Sequence, residues 1–290
     1  MPVLCLIANP IDSELDPALT SAVVKEIGGE LNWLDHGIAC EIAEPKSTDA
    51  LEIARAIVGN RAVDANIVPT EGRRKSILVA DMDSTMINEE CIDELAAALG
   101  IKDKVAEITE RAMRGELDFG EALDTRVALL RGLERKVIEE IRREQITLAS
   151  GGRALIQTMK AYGAYTSLVS GGFTFFADYF GKRIGFDEAI ANVLEFDGDA
   201  LTGTVAKPIV DKNTKRERLE ALAAERNVPL SKTIAVGDGA NDLDMIRIAG
   251  YGVALHAKPA VAAEAGIRID HGDLTALLYL QGYTDEDIVR

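Results

Sequence analysis

The sequence predicts an α/β fold in which a parallel sheet carries an inserted helical cap and follows a small N-terminal α/β domain. Short apolar runs that each end in Asp, Ser or Gly and precede a helical pattern are typical of a parallel sheet with crossover helices. Between the first two runs lie roughly 80 residues of helical pattern, far more than a crossover connection needs. We therefore expect one domain over residues 1–75 and a second over residues 76–290, with the cap inserted at about residues 89–148.

The N-terminal segment alternates between strand-like and helical patterns and contains no cluster of residues with catalytic chemistry. We expect it to be a packing or interaction unit. A basic segment after Gly72 is expected to connect it to the second domain. The expected elements are strands at residues 3–8, 37–42 and 65–68, and helices at residues 18–27 and 50–58.

The apolar runs of the second domain place polar side chains at the ends of three strands. In an open α/β sheet, ligands bind beyond the carboxyl ends of the strands, so we expect these ends to meet around one crevice. The runs at residues 77–80, 164–169 and 233–236 end at Asp81, at Ser170 and at Gly237-Asp238.

The inserted segment contains four apolar stripes at helical spacing, which predict a four-helix cap over the sheet. Phe119 is expected to line the cap side of the pocket. The stripes are Ile92, Leu95, Ala96 and Leu99; Val105, Ile108 and Ala112; Leu123, Val127 and Leu130; and Val137, Ile138 and Ile141.

Composition excludes several classes of partner. Acidic residues outnumber basic ones by 48 to 32, a formal net charge of -16, so we expect no nucleic acid and no anionic membrane surface as partner. No apolar run is long enough to cross a membrane, and the first ten residues lack the basic flank of a secretory signal. The three cysteines are widely spaced and form no CxxC motif, as is typical of buried thiols in a reducing compartment. We therefore expect a cytoplasmic protein.

Asp81 and Asp83 form the first candidate site. Both side chains point to the same side if the chain stays extended beyond the strand. One carboxylate can attack phosphorus while the second gives a proton to the leaving alkoxide and later takes one from water. A solvated turn or a plain pair of metal ligands explains the pattern equally well at this point.

Two glycine-containing segments follow the other strands. At Ser170-Gly171-Gly172, the glycines allow backbone amides to approach a phosphate oxygen, although a simple strand-to-helix turn gives the same pattern. In the segment Gly237 to Asp242, the oxygen-bearing side chains of Asp238, Asn241 and Asp242 suit a hard cation such as Mg²⁺. An N-capping turn accounts for the last two of these side chains but leaves Asp238 unexplained.

Taken together and in this order, DMDST, VSGGF, Lys215 at a helix start and VGDGANDLDM resemble the haloacid dehalogenase (HAD) superfamily of aspartyl-phosphate enzymes. The resemblance covers about residues 76–280 and is closest to the members that hydrolyse O-phospho-L-serine in the last step of serine biosynthesis. It implies a Rossmannoid parallel sheet with a helical-bundle cap. The N-terminal segment lies outside it, although some bacterial members carry an extension that is likened to an ACT-like regulatory fold.

The resemblance implies that Asp81 is the nucleophile and that Asp83 is the acid/base. It also implies that Mg²⁺ is held by Asp81, the backbone carbonyl of Asp83 and Asp238, with Asp242 supporting the metal from behind. Glu90 matches a residue that recognises the ammonium group of serine, and Arg126 matches one that binds its carboxylate. The phosphoryl group and the rest of the substrate are assigned to Ser170, Gly171, Lys215 and Asn241.

Three alternatives stay open at this point. The first is a phosphatase or phosphotransferase of the same fold that acts on another small phosphomonoester, such as phosphohomoserine or a sugar phosphate, although Glu90 and Arg126 favour an amino acid. The second is a serine-sensing regulatory protein, although the large insertion and Asp83 favour turnover. Finally, Glu90 and Arg126 could be ordinary solvated helix charges. The expected partner is a small-molecule substrate, with a homodimer left open.

Overall fold

The structure is a computed structural model that describes residues 2–11, 15–113 and 116–290, without the side chain of Met113. It contains a parallel sheet flanked by helices and a smaller antiparallel sheet, so the predicted α/β fold class is confirmed. In the part of the chain that the structure describes, no helix is both long and apolar enough to span a bilayer.

The N-terminal unit is a four-stranded antiparallel sheet with two helices on one face, and its strand order is β2-β3-β1-β4. The expected strand at residues 37–42 begins only at Ala39, because Gly37 lies in the preceding turn with a φ of 80°. The edge strand β2 was not predicted, since it alternates polar and half-buried residues and has no apolar run. The elements are β1 (Pro2–Ala8), α1 (Pro17–Ile27), β2 (Glu30–Asp35), β3 (Ala39–Ala43), α2 (Ala50–Val58) and β4 (Val63–Pro69).

The inserted cap consists of four helices among the described residues, and each carries one of the predicted apolar stripes, although Leu99 and Leu130 lie just beyond the ends of their helices. The insertion leaves and re-enters the sheet domain side by side, because Ile87 and Leu148 form an isolated antiparallel bridge. The cap follows strand β5 (Ile77–Ala80) and contains α3 (Cys91–Ala98), α4 (Lys102–Met113), α5 (Phe119–Ala128) and α6 (Arg135–Glu144).

The chain then completes the sheet domain and a small hairpin. The elements are α7 (Gly152–Ala161), β6 (Tyr165–Phe173), α8 (Thr174–Ile184), β7 (Glu188–Asn192), the hairpin β8 (Leu194–Asp197) and β9 (Ala200–Val205), α9 (Lys212–Glu225), β10 (Thr233–Gly237), α10 (Leu243–Ile248), β11 (Tyr251–Leu255), α11 (Pro259–Glu264), β12 (Ile267–Ile269) and α12 (Ala276–Leu280).

The six parallel strands have the order β12-β11-β10-β5-β6-β7. The three strands predicted to carry the site are therefore neighbours at the centre of the sheet. Thr233 of β10 pairs with Ile77 of β5, which pairs in turn with Tyr165 of β6. Because the strands are parallel and nearly in register, their carboxyl ends meet at one edge.

The two sheets are joined by a shared apolar core. Alternate residues of β1 point to opposite faces, so that Cys5 belongs to the core that includes Leu277 of α12, whereas Leu4 packs among residues of the N-terminal unit such as Val23. Because one core spans both sides of residue 75, the domain boundary at that residue stays a prediction.

Candidate active site

A buried ammonium group joins two of the three strand ends. The Nζ atom of Lys215 lies 2.7 Å from Oδ1 of Asp81 and 2.6 Å from Oδ1 of Asp242, and all three side chains are buried. Lys215 reaches this position from the first turn of α9, whose start is fixed because Asp211 caps the helix at Thr214. Burial alone would lower the pKa of Lys215, but Asp242 and Asp81 hold it above its ordinary value.

Three carboxylates converge beside this lysine. Oxygen atoms of Asp81, Asp238 and Asp242 lie within 4.8 Å of one another. Burial, followed by the charge of Asp81, raises the pKa of Asp238 to about 6 and that of Asp242 to about 7. The single charge of Lys215 does not balance three carboxylates. The excess charge and the all-oxygen donor set therefore fit a hard divalent cation such as Mg²⁺.

Asp83 is held apart from these carboxylates by its own hydrogen bonds. Its Oδ1 accepts from the backbone N–H of Cys91 at 2.8 Å, and its Oδ2 accepts from the hydroxyl of Ser170 at 3.1 Å. The Ser170 oxygen in turn accepts from the N–H of Gly172 at 2.8 Å. Burial, with the nearby charges of Glu90 and Asp81, raises the pKa of Asp83 to about 7. A carboxyl group in this state is suited to transfer protons near neutral pH.

The segment from Ser170 to Gly172 needs its two glycines for packing. A Cβ atom on Gly172 would lie 2.7 Å from Oδ2 of Asp83, and one on Gly171 would lie 3.2 Å from the ring of Phe119. The backbone therefore approaches the centre of the site closely. Phe119 of the cap faces the glycines, in agreement with its predicted place on the cap side of the pocket.

Glu90 and Arg126 reach the site from the cap. The Oε1 atom of Glu90 accepts from the Ser84 hydroxyl at 2.8 Å, and Ser84 adopts a left-handed φ of 54°. Burial raises the pKa of Glu90. Burial also lowers the pKa of Arg126, while the charges of Glu90, Asp93 and Asp83 oppose that shift. Arg126 therefore lies within electrostatic reach of Glu90 and Asp83.

Arg126 is held by neutral acceptors. Its Nε donates to the carbonyl of Ala122 at 3.2 Å, and another guanidinium nitrogen donates to the Thr109 hydroxyl at 3.3 Å. Among the described residues, no carboxylate lies within 4.0 Å of the guanidinium. A largely buried cation without an ionic partner is suited to bind an anionic ligand.

Asn241 lies in the loop after β10, where the backbone forms a short 3₁₀ turn before α10. Its side-chain oxygen folds over Gly239, since a Cβ on that glycine would lie 2.3 Å from it. The N–H of Gly239 donates to Oδ2 of Asp242 at 3.0 Å. The structure thus brings all ten residues singled out from the sequence to the carboxyl edge of the sheet or to the cap above it, while their individual roles stay predictions.

Sequence reasoning missed Asn192, at the end of β7. Its side chain is buried and bonds two separate segments: Nδ2 donates to the carbonyl of Gly171 at 2.8 Å, and Oδ1 accepts from the N–H of Val210 at 2.7 Å. It ties the glycine segment to the loop that leads into α9. A single asparagine after a strand gives no signal for such a contact, because both partners are backbone atoms distant in sequence.

Lys258 was also missed. Its Nζ lies 3.9 Å from Oδ2 of Asp238, and its backbone N–H donates to the carbonyl of Asp238 at 3.2 Å. Because Lys258 is a half-exposed lysine at the start of α11, with no motif around it, no sequence signal could have identified it.

Comparisons with known proteins agree with this geometry. Residues 78–247 match the family model of haloacid dehalogenase-like hydrolases. A curated phosphoserine phosphatase of Streptomyces coelicolor is 45% identical over 299 residues, which cover 99% of this chain and 72% of that protein. Across four curated relatives of this kind, the chain spans 53% to 72% of the relative's length.

Two solved structures extend the similarity to the fold. A HAD family hydrolase from Salmonella enterica serovar Typhi has a TM-score of 0.85 at 28% identity and covers 98% of this chain and 99% of its own. A structure described as the phospho-aspartyl intermediate analogue of phosphoserine phosphatase has a TM-score of 0.66 at 37% identity, with 71% and 98% covered. The Salmonella structure is similar over nearly the whole chain, so the similarity includes the N-terminal unit.

Proposed function

Since the chain belongs to the haloacid dehalogenase-like hydrolase family, we propose that it hydrolyses O-phospho-L-serine to L-serine and phosphate with Asp81 as nucleophile. The observation that carries the proposal is that two carboxyl groups close together in the sequence lie in different surroundings. Asp81 is bound to the ammonium of Lys215, whereas Asp83 has a pKa of about 7. The first suits attack on phosphorus and the second suits proton transfer.

The proposed chemistry has two steps. Oδ1 of Asp81 accepts from Lys215 and from the N–H of Met82 at 2.8 Å, and no donor among the described residues bonds Oδ2. Oδ2 of Asp81 forms a bond to phosphorus as the bond to the serine oxygen breaks, and Asp83 gives that oxygen a proton. Asp83 then takes a proton from water, which attacks phosphorus and releases Asp81.

Magnesium fits this chemistry because a carboxylate must approach a phosphate dianion. Two unit charges about 4 Å apart repel by about 4 kcal/mol at an effective dielectric of about 20, and a divalent cation supplies the neutralisation. The residues that would hold it are Asp81, Asp238 and the backbone carbonyl of Asp83. Asp242 supports them from behind through its bond to Lys215.

The cap supplies the two side chains that we assign to recognition of the amino-acid part of the substrate. An amino acid is best bound by one anion and one bidentate cation, and Glu90 and Arg126 supply this pair in the proposal. The phosphoryl group is assigned to Ser170, Gly171 and Lys215, and Asn241 is assigned a substrate contact. Curated relatives named phosphoserine phosphatase, 45% and 46% identical to this chain, support the same assignment.

The deciding experiment measures phosphate release from L-phosphoserine with and without Mg²⁺ for the native chain and for Asp81→Asn. We expect magnesium-dependent release that falls at least about a thousandfold in the variant. Asp244→Asn is a matched control, because Asp244 lies in the same motif but pairs with Arg247 at the surface.

Two other outcomes separate the alternatives. Faster release from phosphohomoserine or a sugar phosphate would keep the chemistry and overturn the substrate. Absence of release from every phosphomonoester tested would favour a serine-sensing protein. The division into domains at residues 75 and 76, the cytoplasmic location and a homodimer are further proposals that this assay does not address.

A further inference from the structure

The N-terminal unit binds a loop of the sheet domain through a buried carboxylate. Oδ1 of Asp64, on β4, accepts from the N–H of Asp270 at 2.8 Å, and Oδ2 accepts from the N–H of Gly272 at 2.7 Å. Both oxygens are 3.2 Å from the N–H of His271, whose carbonyl accepts from the side chain of Asn9 at 2.9 Å. Hydrogen bonds to an ionised acceptor are strong, so the loop from Asp270 to Gly272 is firmly held by this unit.

The next residue, Asp273, binds the segment between α6 and α7 (residues 145–151), which we call the cap hinge. Oδ2 of Asp273 accepts from the Ser150 hydroxyl at 2.6 Å, and the carbonyl of Ser150 accepts from the N–H of Leu274 at 3.2 Å. Gly151 has a φ of 75°, and a Cβ there would lie 2.7 Å from the backbone N of Thr275. The two segments are therefore packed backbone to backbone.

Ser150 lies at the point where the chain returns from the cap. The N–H of Ala149 donates to the carbonyl of Met86 at 3.0 Å, which joins the return segment to the outgoing one. Glu89 accepts from both the N–H and the hydroxyl of Thr147 at 2.7 Å. Because Glu89 directly precedes Glu90, a displacement of the return segment would displace Glu90 as well.

We propose that the N-terminal unit is the fixed support of the cap hinge. Asp64 acts through the backbone of residues 270–272 and through the bond between Asp273 and Ser150. It sets the position from which the cap presents Glu90 and Arg126 to the substrate. Asp64 and Ser150 are positioning residues, and their effect on substrate affinity rests on the proposed function.

The opposite side of the loop is fixed as well, which makes it a rigid connection. Nε2 of His256, directly after β11, is 2.8 Å from the carbonyl of Gly272, and the backbone N–H of His256 donates to the carbonyl of Ile269 at 2.8 Å. Since His256 holds the loop against the sheet, loss of the Asp64 contact would leave residues 270–272 held from one side only.

The first test compares Asp64→Asn and Ser150→Ala with the native chain. We expect each substitution to raise the KM for L-phosphoserine about tenfold, because Glu90 and Arg126 lose their fixed position. Inhibition by inorganic phosphate should be unchanged, since Lys215 and Ser170 lie in the sheet domain. Asp16→Asn is the control, because its carboxylate also accepts a backbone N–H, that of Leu19, but within the N-terminal unit.

Combining the substitutions tests the linkage itself. If Asp64 acts through Ser150, the double variant should raise KM no further than either single one, whereas Asp16→Asn combined with Ser150→Ala should give independent effects. Multiplication of the two KM effects in the Asp64 and Ser150 pair would overturn the proposal. The proposal would also be overturned if the inhibition constant for inorganic phosphate rose together with the KM for L-phosphoserine.

A thiol measurement tests the proposal without turnover. Cys91, the first residue of α3, is 1% exposed beside Asp83, whereas Cys40 is buried in the core of the N-terminal unit. We expect iodoacetamide to modify Cys91 about tenfold faster in both single variants, with Cys40 unchanged, when mass spectrometry locates the label.

If iodoacetamide modified Cys91 at the native rate in both single variants, the proposal that the N-terminal unit supports the cap hinge would be overturned. Ser150→Ala lies outside the N-terminal unit and carries the test if Asp64→Asn does not fold. Failure of the proposed function would instead appear as absent turnover in the native chain, and it would leave the thiol result interpretable.

Discussion

At the scale of single residues, the cap contributes two charges of opposite sign, of which Arg126 is half-buried and Glu90 keeps an exposed surface. Glu90 is held by a serine hydroxyl, and Arg126 is held by a threonine hydroxyl and a carbonyl. Loss of hydration disfavours both charged forms, as the raised pKa of Glu90 and the lowered pKa of Arg126 indicate. A ligand that carries both opposite charges would relieve both penalties at once, which is the physical basis for preferring an amino-acid phosphate.

Arg126→Lys should therefore weaken the binding of L-phosphoserine far more than that of phosphoethanolamine. Lysine keeps the charge but loses the bidentate geometry, which costs about 2 kcal/mol, or roughly a thirtyfold rise in KM. Phosphoethanolamine lacks the carboxylate, so its KM should change little. Steady-state kinetics on both substrates checks this, with Arg135→Lys elsewhere on the cap as control. Equal losses on both substrates would show that Arg126 does not bind the carboxylate.

At the scale of elements, the sequence could predict the strand ends but not the contacts between them. Asp81 and Ser170 follow apolar runs, and the rule that parallel strands end at one edge brings them together. The contact of Asn192 with Gly171 depends instead on where two distant backbone segments pass each other. The same is true of the bond between Ser84 and Glu90, because the left-handed turn that permits it has no glycine to mark it.

The close approach of β6 to Asp83 gives a prediction about this strand. In Gly172→Ala the new Cβ would lie 2.7 Å from Oδ2 of Asp83 and 3.0 Å from the Ser170 oxygen, so one of these groups must shift. A displacement of about 1 Å in a catalytic site reduces turnover by roughly a hundredfold, and we expect a loss of this size in kcat. Gly266→Ala is the control, because a Cβ there meets no atom within 4 Å. A kcat in Gly172→Ala equal to that of the control would contradict the crowding.

At the scale of the whole molecule, the N-terminal sheet and the parallel sheet share one core through α12. Arg73, in the connector, strengthens this junction, because it pairs with Glu41 at 2.6 Å and donates to the carbonyls of Tyr279 and Leu280. Such a junction favours a single cooperative unfolding transition over independent melting of two domains. Trp33 is the one tryptophan of the chain and lies in β2, so its fluorescence reports on the N-terminal sheet.

The buried thiols of that sheet give this transition a defined pH dependence. Burial, with smaller effects of Cys5 and Glu41, raises the pKa of Cys40 from 9.0 to about 12. Because the folded pKa is the higher one, the contribution of this thiol to stability is complete below pH 9 and is lost as the pH rises toward 12. Replacing Cys40 by Ala should therefore make the fall in the free energy of unfolding above pH 9 less steep, by up to about 1.4 kcal/mol per pH unit.

Urea unfolding between pH 8 and roughly pH 10.5, followed by Trp33 fluorescence and by circular dichroism, measures this slope. Val23→Ala, in the same core, should lower stability equally at every pH, since it removes volume without an ionisable group. An unchanged slope in Cys40→Ala would contradict the prediction, because the thiol would then ionise as readily in the folded chain as in the unfolded one.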